Sequence, residues 1–248
     1  MKKEIISYYS FCTQRNTSAV VFLPENYSCC ENQKYPTLYA LHGYWGDENS
    51  LSSDDSGLWD TFESLFSDFI VVFPYIYISK ARERCTALDY INSSAYDSFI
   101  FELTCCLIPE VEKRYRTGGA RESRAVCGFS MGGREAMYIG FTRPDLFSFV
   151  GAACPAPGLL PGENKSLHPG QIKPEFFRPC CAAENYPKIV ISAAGNDEIV
   201  GKIPYAYSDE LKKNGVPHMF QEIEDGVHDN SSVKKHLEFI APILKESE

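Results

Sequence analysis

The feature that most restricts how this chain can fold is the stretch RAVCGFSMGGREAMYIGF at residues 124–141. A short apolar run with strand character leads into a serine, and a helical pattern follows. Glycine costs backbone entropy in either element, so Gly128, Gly132, Gly133 and Gly140 need a structural reason. A buried strand that turns sharply into a helix supplies one. In Gly128-Phe129-Ser130-Met131-Gly132 the serine sits at the apex in strained backbone, and side chains two residues to either side would collide. The pattern predicts a strand over 124–130 and a helix directly after it.

Other segments fit that frame. The runs at 18–24, 36–43, 69–74, 149–155 and 188–195 are apolar without strict alternation, as expected for strands covered on both faces. The first of these and the segment before it read as an antiparallel pair. HMFQEIE at 218–224 alternates in part and suits an edge. Between the runs lie helical spacings: Leu58, Phe62, Leu65 and Phe66, then Phe99, Leu103, Leu107 and Val111 within 93–115, where Pro109 should interrupt the helix. IPYAYSDELKKNG ends in a helix stop signal, and NSSVKKHLEFIAPIL opens with good caps. Strands alternating with helices predict an α/β fold with a mainly parallel central sheet and helices on both faces. With 248 residues, the chain fits one domain over 1–248. The stretch 155–187 holds seven prolines and little periodicity; it reads as an ordered excursion, either a substrate-site loop or a plain surface loop.

A serine hydroxyl is a weak nucleophile that needs a general base, itself oriented by a carboxylate. In this architecture the chain order is serine, acid, histidine. Four histidines follow Ser130: His168 in the excursion, His218 at a strand start, His228 in a turn and His236 on the last helix. His228 is the expected base, since its loop between the last strand and the final helix can reach back to the serine. Asp197, just past the end of a buried strand, is the expected acid, because reacting groups collect at the carboxyl ends of such strands. Glu198 is its nearest rival; Asp225 and Asp229 read as loop charges or caps. An oxyanion needs two donors: the Met131 amide after the nucleophile, and the Tyr44 amide in LHGYWG, with Gly43 as the alternative. His42 reads as a residue that shapes this loop.

The formal net charge of −9 argues against a general binder of nucleic acid. No run is apolar enough to span a membrane. Residues 1–12 lack a convincing signal-peptide core, so the expected location is cytoplasmic. Ten cysteines include adjacent pairs at Cys29–Cys30, Cys105–Cys106 and Cys180–Cys181. With no C-x-x-C and scattered histidines, reduced thiols acting as small hydrophobes are expected in place of a zinc site.

Nearly the whole chain resembles the esterase D-like branch of α/β-hydrolases, especially the feruloyl and acetylxylan esterases of carbohydrate esterase family 1. The likeness runs through YPTLYALHGYWGDENS, FIVVFP, LIPEVEKRYRT, AVCGFSMGGREAMYIGFTRPDLFSFV, AAGNDEIV and GVHDNSSVKKHLEFI. It implies an α/β-hydrolase fold, a serine esterase of xylan degradation and no cofactor or metal. The family's nucleophile falls on Ser130, its acid on Asp197, its base on His228 and its oxyanion amides on Tyr44 and Met131. The resemblance implies a small-molecule or oligosaccharide ester substrate, with hydroxycinnamate esters first. Trp45, beside the oxyanion loop, either walls an aromatic acyl slot or merely packs there. An acetylxylan esterase, an S-formylglutathione hydrolase, a transferase, and a binding module on an inactive hydrolase fold are the alternatives. Residues 75–90 and the proline-rich excursion match no family pattern, and specificity is expected there.

Overall fold

The computed structural model describes residues 1–79, 89–162 and 168–246. The chain opens with an antiparallel hairpin of β1 (Lys2–Ser10) and β2 (Arg15–Leu23). Next come β3 (Thr37–Leu41), β4 (Ile70–Pro74), β5 (Arg124–Phe129), β6 (Phe149–Ala153), β7 (Lys188–Ala194) and β8 (Met219–Ile223). All eight belong to one sheet in the order β1-β2-β4-β3-β5-β6-β7-β8. From β4 to β8 every neighbouring pair is parallel. Every residue of β3, β4 and β6 is buried. Two covered faces leave no place for polar alternation, which is why these strands read as plain apolar runs. β8, with its partial alternation, takes an edge as expected.

Helices lie on both faces. On one, α1 (Trp59–Leu65) and α7 (Asn230–Lys245) bury Phe62, Leu237 and Ile240 against Val71, Phe73 and Cys127 of the sheet. On the other, α5 (Met131–Thr142) and α6 (Ile203–Lys213) bury Met137, Phe141, Tyr207 and Leu211. This is the α/β-hydrolase architecture.

The segment expected to be helical over 93–115 begins earlier and is broken. It forms α2 (Tyr90–Asp97), α3 (Phe99–Glu102), a π turn at Leu103–Leu107 and α4 (Ile108–Arg114). Pro109 is the reason. It occupies the first turn of α4, where its missing N–H is not needed, and the wider turn ahead of it relieves the ring's crowding against the preceding carbonyls.

The excursion is ordered where it is described, and it forms no strand there. Phe177 is fully buried. Its ring lies 5.4 Å from Phe141 and 5.5 Å from Tyr207. The Tyr207 hydroxyl donates to Ala156 O (2.8 Å) and accepts from Leu159 N (3.1 Å), fastening the start of the excursion to α6. Parts of both expected specificity regions, residues 80–88 and 163–167, lie outside the described residues. Among the described residues, no helix is long and apolar enough to cross a membrane.

Candidate active site

Ser130 stands between β5 and α5 with φ 55° and ψ −117°. A side-chain-bearing residue in that region costs on the order of 1–3 kcal/mol and persists only when its surroundings enforce it. Here they do. The Ser130 amide donates to Ala153 O (2.9 Å), and its carbonyl accepts from Arg134 N (3.0 Å) and Ala156 N (2.9 Å). A Cβ on Gly128 would come within 2.3 Å of the Gly132 carbonyl group, and one on Gly132 within 2.2 Å of Leu41 O. Strand and helix can meet this closely only where both side chains are absent.

Asp197 follows the carboxyl end of β7, and its side chain is almost wholly buried. Its Oδ1 accepts from the amides of Ile199 and Val200, both at 2.9 Å. Its Oδ2 lies 2.7 Å from His228 Nδ1. A carboxylate can only accept, so Nδ1 carries the proton and donates. Nε2 is then left with its lone pair, 2.8 Å from Ser130 Oγ. His228 is held from two further sides. The Phe129 ring lies 4.6 Å from the imidazole, and Asp229 caps α7 through Ser231 N at 2.8 Å, fixing the chain just after the histidine. Glu198 and Asp225 are exposed. The structure thus brings Ser130, His228 and Asp197 together across 98 and 31 residues of sequence. The arrangement can withdraw the serine proton onto a base whose tautomer is already set.

The loop after β3 lies against the serine, with a Cβ on Gly43 falling 3.4 Å from Ser130 Cβ. His42 holds this loop. Its ring is buried, Nδ1–H donates to Gly43 O (2.7 Å), and Nε2 accepts from Ile76 N (3.1 Å). Burial pushes its pKa down to about 4, so the neutral ring persists and serves the shaping role expected of it. Tyr44 follows, its ring 4.7 Å from Trp45 and 6.0 Å from Tyr96. Trp45 adopts φ 62° and is 60% exposed. Met131 opens α5, where helix amides point outward and favour negative charge.

The other histidines have structural partners. His218 meets Ser208 Oγ (2.8 Å), and buried His236 meets Ser192 Oγ (2.6 Å). His168 belongs to a cluster that the sequence reading missed. Asp97 at the end of α2 pairs with Arg134 Nη1; its Oδ1 also accepts from His168 Nδ1 (2.7 Å), and its Oδ2 accepts from Gly170 N (2.6 Å). Arg134 also reaches Glu135 Oε1 (2.7 Å) and Gly158 O (3.1 Å). Burial opposes charge on Asp97, but the His168 hydrogen bond and the Arg134 guanidinium hold its carboxyl below the usual range. Burial pushes Glu135 up to about 8. Near neutral pH the cluster therefore sets one guanidinium against the Asp97 carboxylate. Its signal in the sequence was Arg-Glu on a helix otherwise composed for burial.

Comparison with known proteins gives the family and the fold. The Esterase family model matches residues 10–175. The structure of the CE1 ferulic acid esterase of the anaerobic fungus Anaeromyces mucronatus is similar at a TM-score of 0.85 and 34% identity, covering 98% of this chain and 89% of that one. An S-formylglutathione hydrolase of Staphylococcus aureus shares the fold, with a TM-score of 0.72 at 19% identity over 99% of this chain and 98% of that one. An endo-1,4-beta-xylanase/feruloyl esterase of Xylanibacter ruminicola is 29% identical over 155 residues, 59% of this chain and 20% of that protein. The match thus spans a small part of that larger protein. A strand–serine–helix turn, an imidazole directed by a buried carboxylate and a family match over most of the length converge, and the chain belongs to the Esterase family of α/β-hydrolases.

Proposed function

We propose that this protein is a serine carboxylic-ester hydrolase that releases hydroxycinnamic acids, ferulic acid foremost, from esters derived from plant polysaccharides. The observation that carries the chemistry is the hydrogen-bonded line from Ser130 Oγ through His228 to Asp197. The 34% identity to a ferulic acid esterase over almost the full chain supports the substrate.

In the first half-reaction Ser130 Oγ attacks the ester carbonyl carbon as its proton passes to His228 Nε2. The tetrahedral oxyanion accepts from the Met131 and Tyr44 amides. Collapse breaks the bond to the leaving alcohol oxygen, which takes the proton from His228, and the acyl group remains on Ser130. Water then attacks the acyl-enzyme, His228 receives its proton, and the free acid departs as Ser130 is restored. Asp197 stabilises the imidazolium in both halves. Trp45 walls the aromatic acyl group.

The test is acid release from methyl ferulate beside 4-nitrophenyl acetate, with Ser130→Ala as control. The expected result is efficient turnover of both esters, each abolished in the variant. Cleavage of the acetate alone would discard the aromatic substrate and retain the mechanism. Full activity in Ser130→Ala would discard the mechanism.

A further inference from the structure

Three clusters among the described residues bring histidine, cysteine or carboxylate ligand atoms within 4.8 Å of one another. Two are already committed. In Asp97–Glu135–His168 the Arg134 guanidinium lies against both acidic side chains, so the cation is already supplied. In Cys154–Asp197–His228 the imidazole and carboxylate serve Ser130. The third, Cys12–Glu102–Cys106, lies at the other side of the molecule, where β1 forms the sheet edge four strands from β5.

We propose that Cys12, Glu102 and Cys106 bind one zinc-type divalent ion, which fastens the β1–β2 turn to the helix beside it.

Glu102 is only 1% exposed. Its Oε2 accepts from Ser10 Oγ (2.6 Å), while its buried Oε1 has no hydrogen-bond partner. Among the described residues, no lysine, arginine or histidine forms an ion pair with it. Buried carboxylates are ordinarily paired with a cation or coordinate a metal. This one has two sulfurs and the Tyr8 hydroxyl beside it.

The local fold explains how they meet. Cys106 lies in the π turn Leu103–Leu107 and follows Glu102 by four residues, a spacing that sets two side chains on one face of a helical segment. Cys12, in the tight turn after β1, closes the site from the solvent side and is exposed, which gives an ion a way in. Two sulfurs select a soft or borderline ion over calcium or magnesium. Tetrahedral zinc with Zn–S of about 2.3 Å sets two sulfurs roughly 3.8 Å apart, a spacing that the cluster accommodates.

A free thiol titrates at about 8.5, above neutral pH. The metal-free thiols therefore stay protonated. Binding exchanges these protons for the ion. One M²⁺ enters, two S–H bonds become two S–M bonds, two protons leave to solvent, and no electrons move. The carboxylate completes a three-ligand set, with water in the fourth position.

The full chain, reduced with a phosphine and stripped by chelation, is titrated with Zn²⁺ against a chromophoric chelator, and separately with Co²⁺. The expected result is one equivalent of zinc and a thiolate-to-cobalt charge-transfer band. Cys12→Ser, a change in an exposed turn, should weaken binding by about 100-fold or more and remove most of that band. Glu102→Gln should also weaken it, while the exposed neighbour Cys105→Ser should bind as wild type. Failure of the reduced chain to take up stoichiometric zinc would overturn the proposal, including the case in which Cys12 and Cys106 are recovered as a disulfide. So would unchanged affinity in Cys12→Ser. Neither result bears on ester hydrolysis, which Ser130 tests independently.

Discussion

Asp197 reaches no reacting atom in the proposed cycle, yet both of its oxygens are occupied: one by two backbone amides, the other by His228. Asp197→Asn retains the shape but can present an amide N–H to Nδ1. The imidazole then carries its proton on Nε2 and cannot accept one from Ser130. The expected fall in kcat is about 10³- to 10⁴-fold with little change in KM. Steady-state rates within tenfold of wild type would remove Asp197 from this role. Trp45 makes a different prediction. Its exposed ring, on the loop that lies against Ser130, should favour an aromatic acyl group, so Trp45→Ala should lower the ferulate-to-acetate ratio of kcat/KM by about 10-fold. An unchanged ratio would make it a packing residue. Ser130, Asp197 and His228 were legible in the sequence because each carries a local signature: a glycine-flanked turn, a strand end, a loop before a capped helix. Arg134 and Glu135 were not, since a charged pair on a helix reads as solvent-facing until the partners that bury it are known.

Among the elements, α2, α5 and the excursion meet at Asp97, whose two oxygens serve Arg134, His168 and Gly170. Removing one partner of a buried ion pair leaves the other charge uncompensated and costs about 3–5 kcal/mol. Asp97→Ala should therefore lower stability by that amount, read as a shift in the urea midpoint. It should also speed amide exchange around residues 168–172, where the Gly170 N–H loses its acceptor. Stability loss without faster exchange there would mean that the excursion is held by Phe177 and Tyr207 alone. Strand positions followed from composition because buried strands have few other ways to be written. The interruption near Pro109 was expected, but its form was not: proline forbids a regular helix without specifying whether the chain kinks, stops or widens into a π turn.

At the scale of the whole molecule, His42 in the loop after β3 and His236 on α7 are both buried and neutral. Burial brings them to about 4 and about 3 from an ordinary value of 6.5. As pH falls below 6.5 the unfolded chain takes up these protons first, so the folded state loses stability. The loss runs from 6.5 down to about 4 for His42 and on toward 3 for His236. For His42 it amounts to roughly 3 kcal/mol. The wild-type denaturation midpoint, taken relative to that of His236→Gln, should be flat above pH 7 and fall steadily below 6.5. The difference cancels the opposite slope of Glu135, which takes up a proton on folding between pH 4.5 and about 8. A flat difference down to pH 4 would show that His236 protonates in place. Asp97, held below the usual carboxylate range, gives up its stabilisation only as pH falls below its ordinary value of 3.8, where the His42 window closes and that of His236 is ending. The sequence by itself determined the alternation of strands and helices, the serine turn and the chain order of Ser130, Asp197 and His228. Periodicity, glycine sterics and chain order are properties of neighbours along the chain. Only the tertiary structure decided which charges are buried, which histidines face them, and that Cys12 meets Glu102 and Cys106. Those relations join residues tens of positions apart, and desolvation is set by whatever the fold packs around a group.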